Sequence, residues 1–189
     1  MMEKNQGSNL ANIEEIHIPK QLWQQIKDHC RRKLEGKYLP GETKVKRAYG
    51  LLAGTVHDKF ASCQKVFFFK KNARMVEPLK SYMDSVMERY AVASKTPLSQ
   101  RGWITDPEEL RQCYEMCDKE GLTAIGTYHM HIVPWDHDPL RDTPTKLDRV
   151  LAKNSSLYCF IVSMVDPEKP IIRAFYEGIK EKEVPIVFT

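Results

Sequence analysis

Two histidines, His129 and His131, stand two residues apart at the end of the apolar run "LTAIGTYHMH". In a strand, residues i and i+2 point to the same face, so both imidazoles can converge on one point. Zinc accepts nitrogen and oxygen ligands at about 2.0–2.2 Å, and a catalytic zinc takes three protein ligands and leaves a fourth position open. Asp148 is the candidate third ligand. Thr145, one helical turn before it, is placed to hydrogen-bond a water or a reaction oxyanion. Two histidines, a carboxylate and an open position make the layout of a metal-assisted hydrolase. A structural reading stands beside it. His-x-His pairs arise by chance, Thr145-x-x-Asp148 also fits a capping box, and Asp136, His137 and Asp138 read as a solvated loop.

Two other metal chemistries fit less well. "HMHIVPWDH" has a faint likeness to the His-x-His-x-Asp-His of metallo-β-lactamase-type hydrolases, but four residues separate His131 from Asp136 and no histidine follows His137. A zinc deaminase needs His-x-Glu before a cysteine pair. Cys113 and Cys117 instead lie upstream, four apart, and read as a semi-buried helical stripe.

The elements that must position these residues are legible in outline. "IHIPKQLWQQIKDHCRRKL" predicts an extended entry and a helix with Leu22, Ile26, His29 and Cys30 inward. Residues 47–56 and 61–72 read as strands, and 76–94 as a helix begun by Pro78. "DPEELRQCYEMCDKEG" has Asp106 as N-cap, Pro107 in the first turn, Glu109 completing a capping box and Gly121 as the left-handed stop. "LTAIGTYHMH" follows as a buried strand, "TPTKLDRVLAKN" as a short helix, and 157–165, 170–178 and 184–189 as three closing strands. Alternating helices and strands followed by a hairpin predict an α/β (α+β) chain, a mixed central sheet flanked by helices. Residues 1–11 read as a disordered tail and 12–189 as a single domain.

Composition narrows the function classes. The chain has 189 residues, 42% of them hydrophobic, and a formal net charge of +4. No apolar stretch is long enough to span a bilayer, and the first residues lack the apolar segment of a secretory signal. Five scattered cysteines predict a reduced, cytoplasmic protein. The basic stretch "HCRRKLEGK" is interrupted by Glu35 and reads as a solvated helix end, so neither nucleic acid nor membrane is an expected partner.

"GLTAIGTYHMH" followed by "PTKLD" resembles the JAMM (MPN/JAB, Mov34/PAD-1-like) metalloprotease domain, whose signature is a glutamate, then His-x-His, then Ser-x-x-Asp. "RAYGLLAG" is similar to that family's first strand, "WITDPEELRQCYEMCDKEGLTAIGTYHMH" to its Asp-Pro helix and histidine strand, and "YCFIVSMVDPEKPIIRAFYEG" to its closing hairpin. The resemblance covers most of 12–189 and makes 73–102 a helical insertion. It implies a JAMM/cytidine-deaminase-like architecture, with zinc on His129, His131 and Asp148. It also implies cleavage of a peptide or isopeptide bond, with a protein or peptide substrate that includes ubiquitin-like or sulfur-carrier proteins of the prokaryotic type.

Three departures from the family pattern shape the expectation. The thirteen residues of 132–144 form a longer loop than is usual, which places Trp135, Asp136 and His137 as candidates for the cleft rim. Thr145 replaces serine and keeps the hydroxyl. Arg47 stands where the family has its general-base glutamate, and arginine cannot accept a proton at that task. Glu42 is the nearest upstream carboxylate and the candidate replacement base, with Glu77, Asp136 and Asp138 as further candidates. Two readings follow: a zinc-dependent JAMM-type hydrolase, or a catalytically silent JAMM-like domain that binds a protein partner. Hydrolysis of a small amide in a reshaped cleft is a third.

Overall fold

The computed structural model describes residues 9–93, 96–98 and 101–189. Along these residues run β1 (Glu15–Ile18), α1 (Lys20–Leu34), β2 (Tyr49–Val56), β3 (Phe60–Phe68), α2 (Leu79–Tyr90), α3 (Pro107–Glu120), β4 (Thr123–His131), α4 (Lys146–Ala152), β5 (Tyr158–Ser163), β6 (Ile171–Tyr176), β7 (Glu183–Val184) and β8 (Ile186–Phe188). The strands form one mixed sheet in the order β7-β6-β5-β4-β2-β3-β1-β8. The expected mixed sheet flanked by helices is present. No helix among the described residues is long and apolar enough to cross a membrane.

β4 sits in the middle of this sheet. It pairs antiparallel with β2, Tyr49 opposite His129, and parallel with β5, His129 opposite Ile161. Its alternation sends Tyr128 and Met130 into the main apolar core with α1, and so turns His129 and His131 to the opposite face. On that face α3 lays Cys113 and Cys117 against Leu51, Ala53 and Ala124, the helical stripe expected of the cysteine pair.

Strand packing around β4 leaves no room for an extra atom at Gly126. A Cβ there would be driven into the Tyr158 carbonyl oxygen and the Phe160 ring of β5. Gly126→Ala is therefore expected to lower stability by about 3 kcal/mol, read as a fall in the thermal unfolding midpoint. An unchanged midpoint would show that β4 and β5 separate easily at this point.

Several expectations are revised. The strand expected over 184–189 divides at Pro185, which has no N–H to continue the ladder. β7 stays on β6, whereas β8 pairs parallel with β1 at the far end of the order. Because one residue joins strands at opposite ends, the sheet curls almost closed. Of the expected tail 1–11, residues 1–8 lie outside the described residues. Leu10 is buried, and its carbonyl accepts the Tyr158 hydroxyl at 3.1 Å. Asp106 caps α3 as expected, accepting the Glu109 amide at 3.1 Å. The Glu109 carboxylate instead accepts the amides of Lys70 and Lys71 beyond β3, which ties α3 to the sheet.

The segment 73–102 is built around one helix, α2, with Met83 and Met87 inward. Its expected extent to residue 94 shortens, since the helix ends at Tyr90 and residue 94 lies outside the described residues. Arg74 anchors the segment. Its buried guanidinium pairs with Asp84 and donates to the carbonyls of Lys80, Leu98 and Arg101. α2 packs against α4, so the segment becomes a wall beside the histidine strand.

Candidate metal centre

The end of β4 and the first turn of α4 bring His129, His131 and Asp148 together. His129 Nε2 lies 3.1 Å from His131 Nε2 and 3.2 Å from Asp148 Oδ1, and His131 Nε2 lies 3.7 Å from Asp148 Oδ2. Tetrahedral ligands about 2.05 Å from a zinc ion stand about 3.3 Å apart. The donor set fits a metal ion, and one ligand atom from each residue lies within 4.8 Å of the others.

The two readings of Thr145-x-x-Asp148 are compatible because the carboxylate has two oxygens. Asp148 Oδ2 accepts the Thr145 amide at 2.6 Å, and Thr145 Oγ1 accepts the Asp148 amide at 3.2 Å, a complete capping box. Oδ1 meanwhile faces His129. The cap thereby fixes the rotamer that presents the carboxylate to the histidines.

His131 is oriented from behind. Its Nδ1 lies 3.0 Å from the Arg141 carbonyl and 3.0 Å from Arg141 Nη1. A ring that binds metal through Nε2 carries its proton on Nδ1, and that proton is satisfied by the carbonyl. Arg141 is buried, holds a φ of 51° and stacks its guanidinium on Trp135 at 3.4 Å from the ring centroid. The long loop thus buttresses the second histidine.

Electrostatics inside the site follow from burial and proximity. Burial lowers the pKa of His129, but the charge and hydrogen bond of Asp148 outweigh it and raise the group to about 10. His131 is lowered to about 3 by burial and by the His129 charge beside it. Burial raises Asp148, yet the two histidines and the Thr145 amide hold it well below the usual carboxylate range.

A cleft of about 500 Å³ opens beside these three residues, and Thr145, Trp135 and Arg47 line it. Asp136 and His137 do not line it. Both are exposed, and His137 packs its ring on Trp135 at 5.2 Å. Glu42 is the principal correction. It is buried on the α1 side, accepting both Arg32 Nη1 and Nη2 at 2.7 Å and the Leu39 amide at 2.9 Å, with Lys33 Nζ at 3.7 Å. Burial raises its pKa, but these donors and charges prevail and hold it down to about 2. So weak an acceptor, locked to an arginine and absent from the cleft lining, cannot take a proton at the candidate metal centre. Glu77 is also excluded, since it is exposed and accepts from Ser81 at the start of α2. Asp138 accepts the Thr143 hydroxyl at 2.7 Å within its own loop.

The same contacts revise "HCRRKLEGK". Lys33 is buried, with its Nζ donating to the Thr43 carbonyl at 3.2 Å, so this is an ion-paired core edge and not a solvated helix end. Sequence reasoning also missed Tyr49, Trp103 and Arg101 as cleft residues. Tyr49 and Trp103 stack at 4.3 Å, forming one wall.

No family model matches the sequence, and no curated protein matches it. Among solved structures the chain is similar to the solution structure of protein DSY2949 from Desulfitobacterium hafniense, with 21% identity, 92% of each chain covered and a TM-score of 0.58. That likeness is one of fold.

Proposed function

We propose that this chain is a zinc-dependent hydrolase of the JAMM type that cleaves a peptide or isopeptide bond. The observation that carries the reading is the convergence of three ligand-type atoms at one end of an open cleft. A zinc ion there would supply Lewis acidity, polarising a carbonyl and bringing water closer to ionisation at neutral pH. His129 and His131 would hold it as neutral imidazoles, the second kept in that tautomer by the Arg141 carbonyl. Asp148 would contribute the negative ligand. Thr145 spends its oxygen lone pair on the Asp148 amide, which leaves its O–H to donate toward an oxyanion in the cleft. Among the described residues Asp148 is the one carboxylate that lines the cleft, so the side chains offer no separate general base. A positioned base commonly contributes about 10²–10⁴-fold, and turnover should be correspondingly slow.

That same observation favours a second reading, a metal-holding JAMM-like domain that binds a protein partner without cleaving it. Incubation of zinc-loaded protein with internally quenched peptide and isopeptide substrates separates the two. Slow hydrolysis that chelation abolishes, and that His131→Ala reduces by at least about 10²-fold, is the expected result. A protein that keeps its zinc and cleaves nothing above the His131→Ala background would leave the silent domain as the function.

A further inference from the structure

The lining of the cleft is unbalanced in charge. Arg47, Arg101 and Arg141 all contribute to it, and the one carboxylate in the lining among the described residues is Asp148. Arg141 is already committed, stacked on Trp135 and set against His131, with Asp138 at 4.0 Å. Arg47 and Arg101 are not. Neither forms an ion pair with a carboxylate among the described residues. The guanidinium of Arg101 donates to the Val92 carbonyl at 2.8 Å, and Arg47 hydrogen-bonds with Tyr49. Both side chains are half-buried. They lie close enough that Arg47 repels Arg101 as well as Arg141.

Half-buried like charges without counterions are costly, because burial removes solvation that no partner replaces. A divalent ion bound to Asp148 would take up the one negative charge and leave the guanidiniums unopposed. The two arginines that lack an ion pair are also arranged in common. Each lies two residues before a ring of the Tyr49–Trp103 stack. A flat apolar wall and a pair of guanidiniums thus meet at the side of the cleft next to His129, whose ring stacks with Tyr49 at 6.4 Å. Guanidinium pairs bind carboxylate or phosphate oxygens by paired, charge-assisted hydrogen bonds.

From this juxtaposition we infer that Arg47 and Arg101 form an oxyanion receptor, and that the substrate is an amide carrying a carboxylate or phosphate group beside the scissile bond. The inference rests on the reading of this cleft as the hydrolytic site and names its substrate class. Arg47 is then a specificity residue that selects for negative charge. The aromatic wall receives the apolar part of the same molecule.

The probes are N-benzoylglycine, its neutral amide N-benzoylglycinamide, and N-benzoylaminomethylphosphonate, titrated against the zinc-loaded full chain by calorimetry. Zinc content is measured on every sample. The expected result is that one or both anionic probes bind about tenfold or more tightly than the neutral amide, and the better of the two identifies the preferred group. Arg47→Gln and Arg101→Gln should each shrink that preference to about twofold or less, with zinc retained and the neutral probe unaffected. Asp148→Asn, emptied of metal, should keep the preference. Equal binding of charged and neutral probes to the wild type overturns the inference, as does a preference that survives both arginine substitutions. A preference that disappears in Asp148→Asn would mean that the metal alone takes the anion, and this too overturns it. Wild-type protein that holds no zinc sinks the hydrolase reading, whichever way the probes behave. Zinc-loaded protein without anion preference sinks the receptor alone.

Discussion

If the proposed zinc site is right, Asp148→Asn is expected to reduce bound zinc from about one ion per chain to under a tenth of that, while the metal-free protein stays folded but melts below the metal-free wild type at neutral pH, because the charge that pairs with His129 is gone. The separation of effects comes from the two oxygens. Asparagine keeps an acceptor for the Thr145 amide, so the α4 cap survives, but it removes the charge that faces His129. Asp148→Ala loses the cap as well and should cost about a further 1 kcal/mol. A proton accompanies the metal. In the metal-free wild type, Asp148 raises His129 to about 10, so the ring is protonated at neutral pH and a zinc ion binding there would have to displace that proton. Zinc uptake at pH 7 should release about one proton, seen as a binding enthalpy that varies with the buffer. Affinity should fall about tenfold per pH unit below neutrality. The His129–Asp148 pair also contributes to stability without metal. The His129 share is complete below about pH 6.5, the ordinary imidazole value, and fades as pH rises through about 10. Full zinc occupancy in Asp148→Asn would remove Asp148 from the ligand set.

What sequence could reveal of this site follows the range of the interactions involved. His129 and His131 were legible because strand alternation is local: the apolar partners Tyr128 and Met130 declare which face is core, and the histidines take the other. Asp148 was legible as a cap, since that role depends on its spacing of three from Thr145, and the cap leaves its second oxygen facing His129. Trp135 reached the cleft as expected, although its stacking partner Arg141 carried no local signal. Arg101 and Trp103 were invisible because a long-range bridge between Asn72 and Thr105 brings their segment to the cleft. Pro185 marked a break, but the parallel pairing of β8 with β1 joins opposite ends of the chain and has no counterpart in local pattern. Glu109 obeyed its capping spacing and still bonded elsewhere, because the exposed amides after β3 offered it two donors at once. Charge was the least legible property. Arg32 and Lys33 read as a basic helix end and Glu42 as a candidate base, and only the fold turns them into one cluster.

That cluster is the source of the largest expected loss of stability. Glu42→Ala removes a carboxylate whose side chain is 1% exposed and leaves the equally buried Lys33 without its counter-charge. Breaking a buried pair from one side costs about 3–5 kcal/mol, a large part of the 5–15 kcal/mol available to a typical domain. Adding Lys33→Met to Glu42→Ala should recover part of it, because the uncompensated cation is gone. Glu42→Gln keeps the shape and exposes the electrostatic share through pH. The Glu42 pKa lies below its unfolded value, so its stabilisation is fully present above about pH 4.5 and is lost as pH falls through about 2. In Glu42→Gln the stability curve should be flatter across that acid window, and at neutral pH the protein should melt earlier than the wild type. Zinc content and any hydrolysis should be unchanged at temperatures where the variant is folded, since nothing in the cleft has been touched. The opposite pattern, an unaltered melting curve with turnover abolished, would return Glu42 to the role of base. Its two hydrogen bonds to Arg32, on the far side of β4 from the histidines, argue that it holds α1 to the loop after it and does no chemistry.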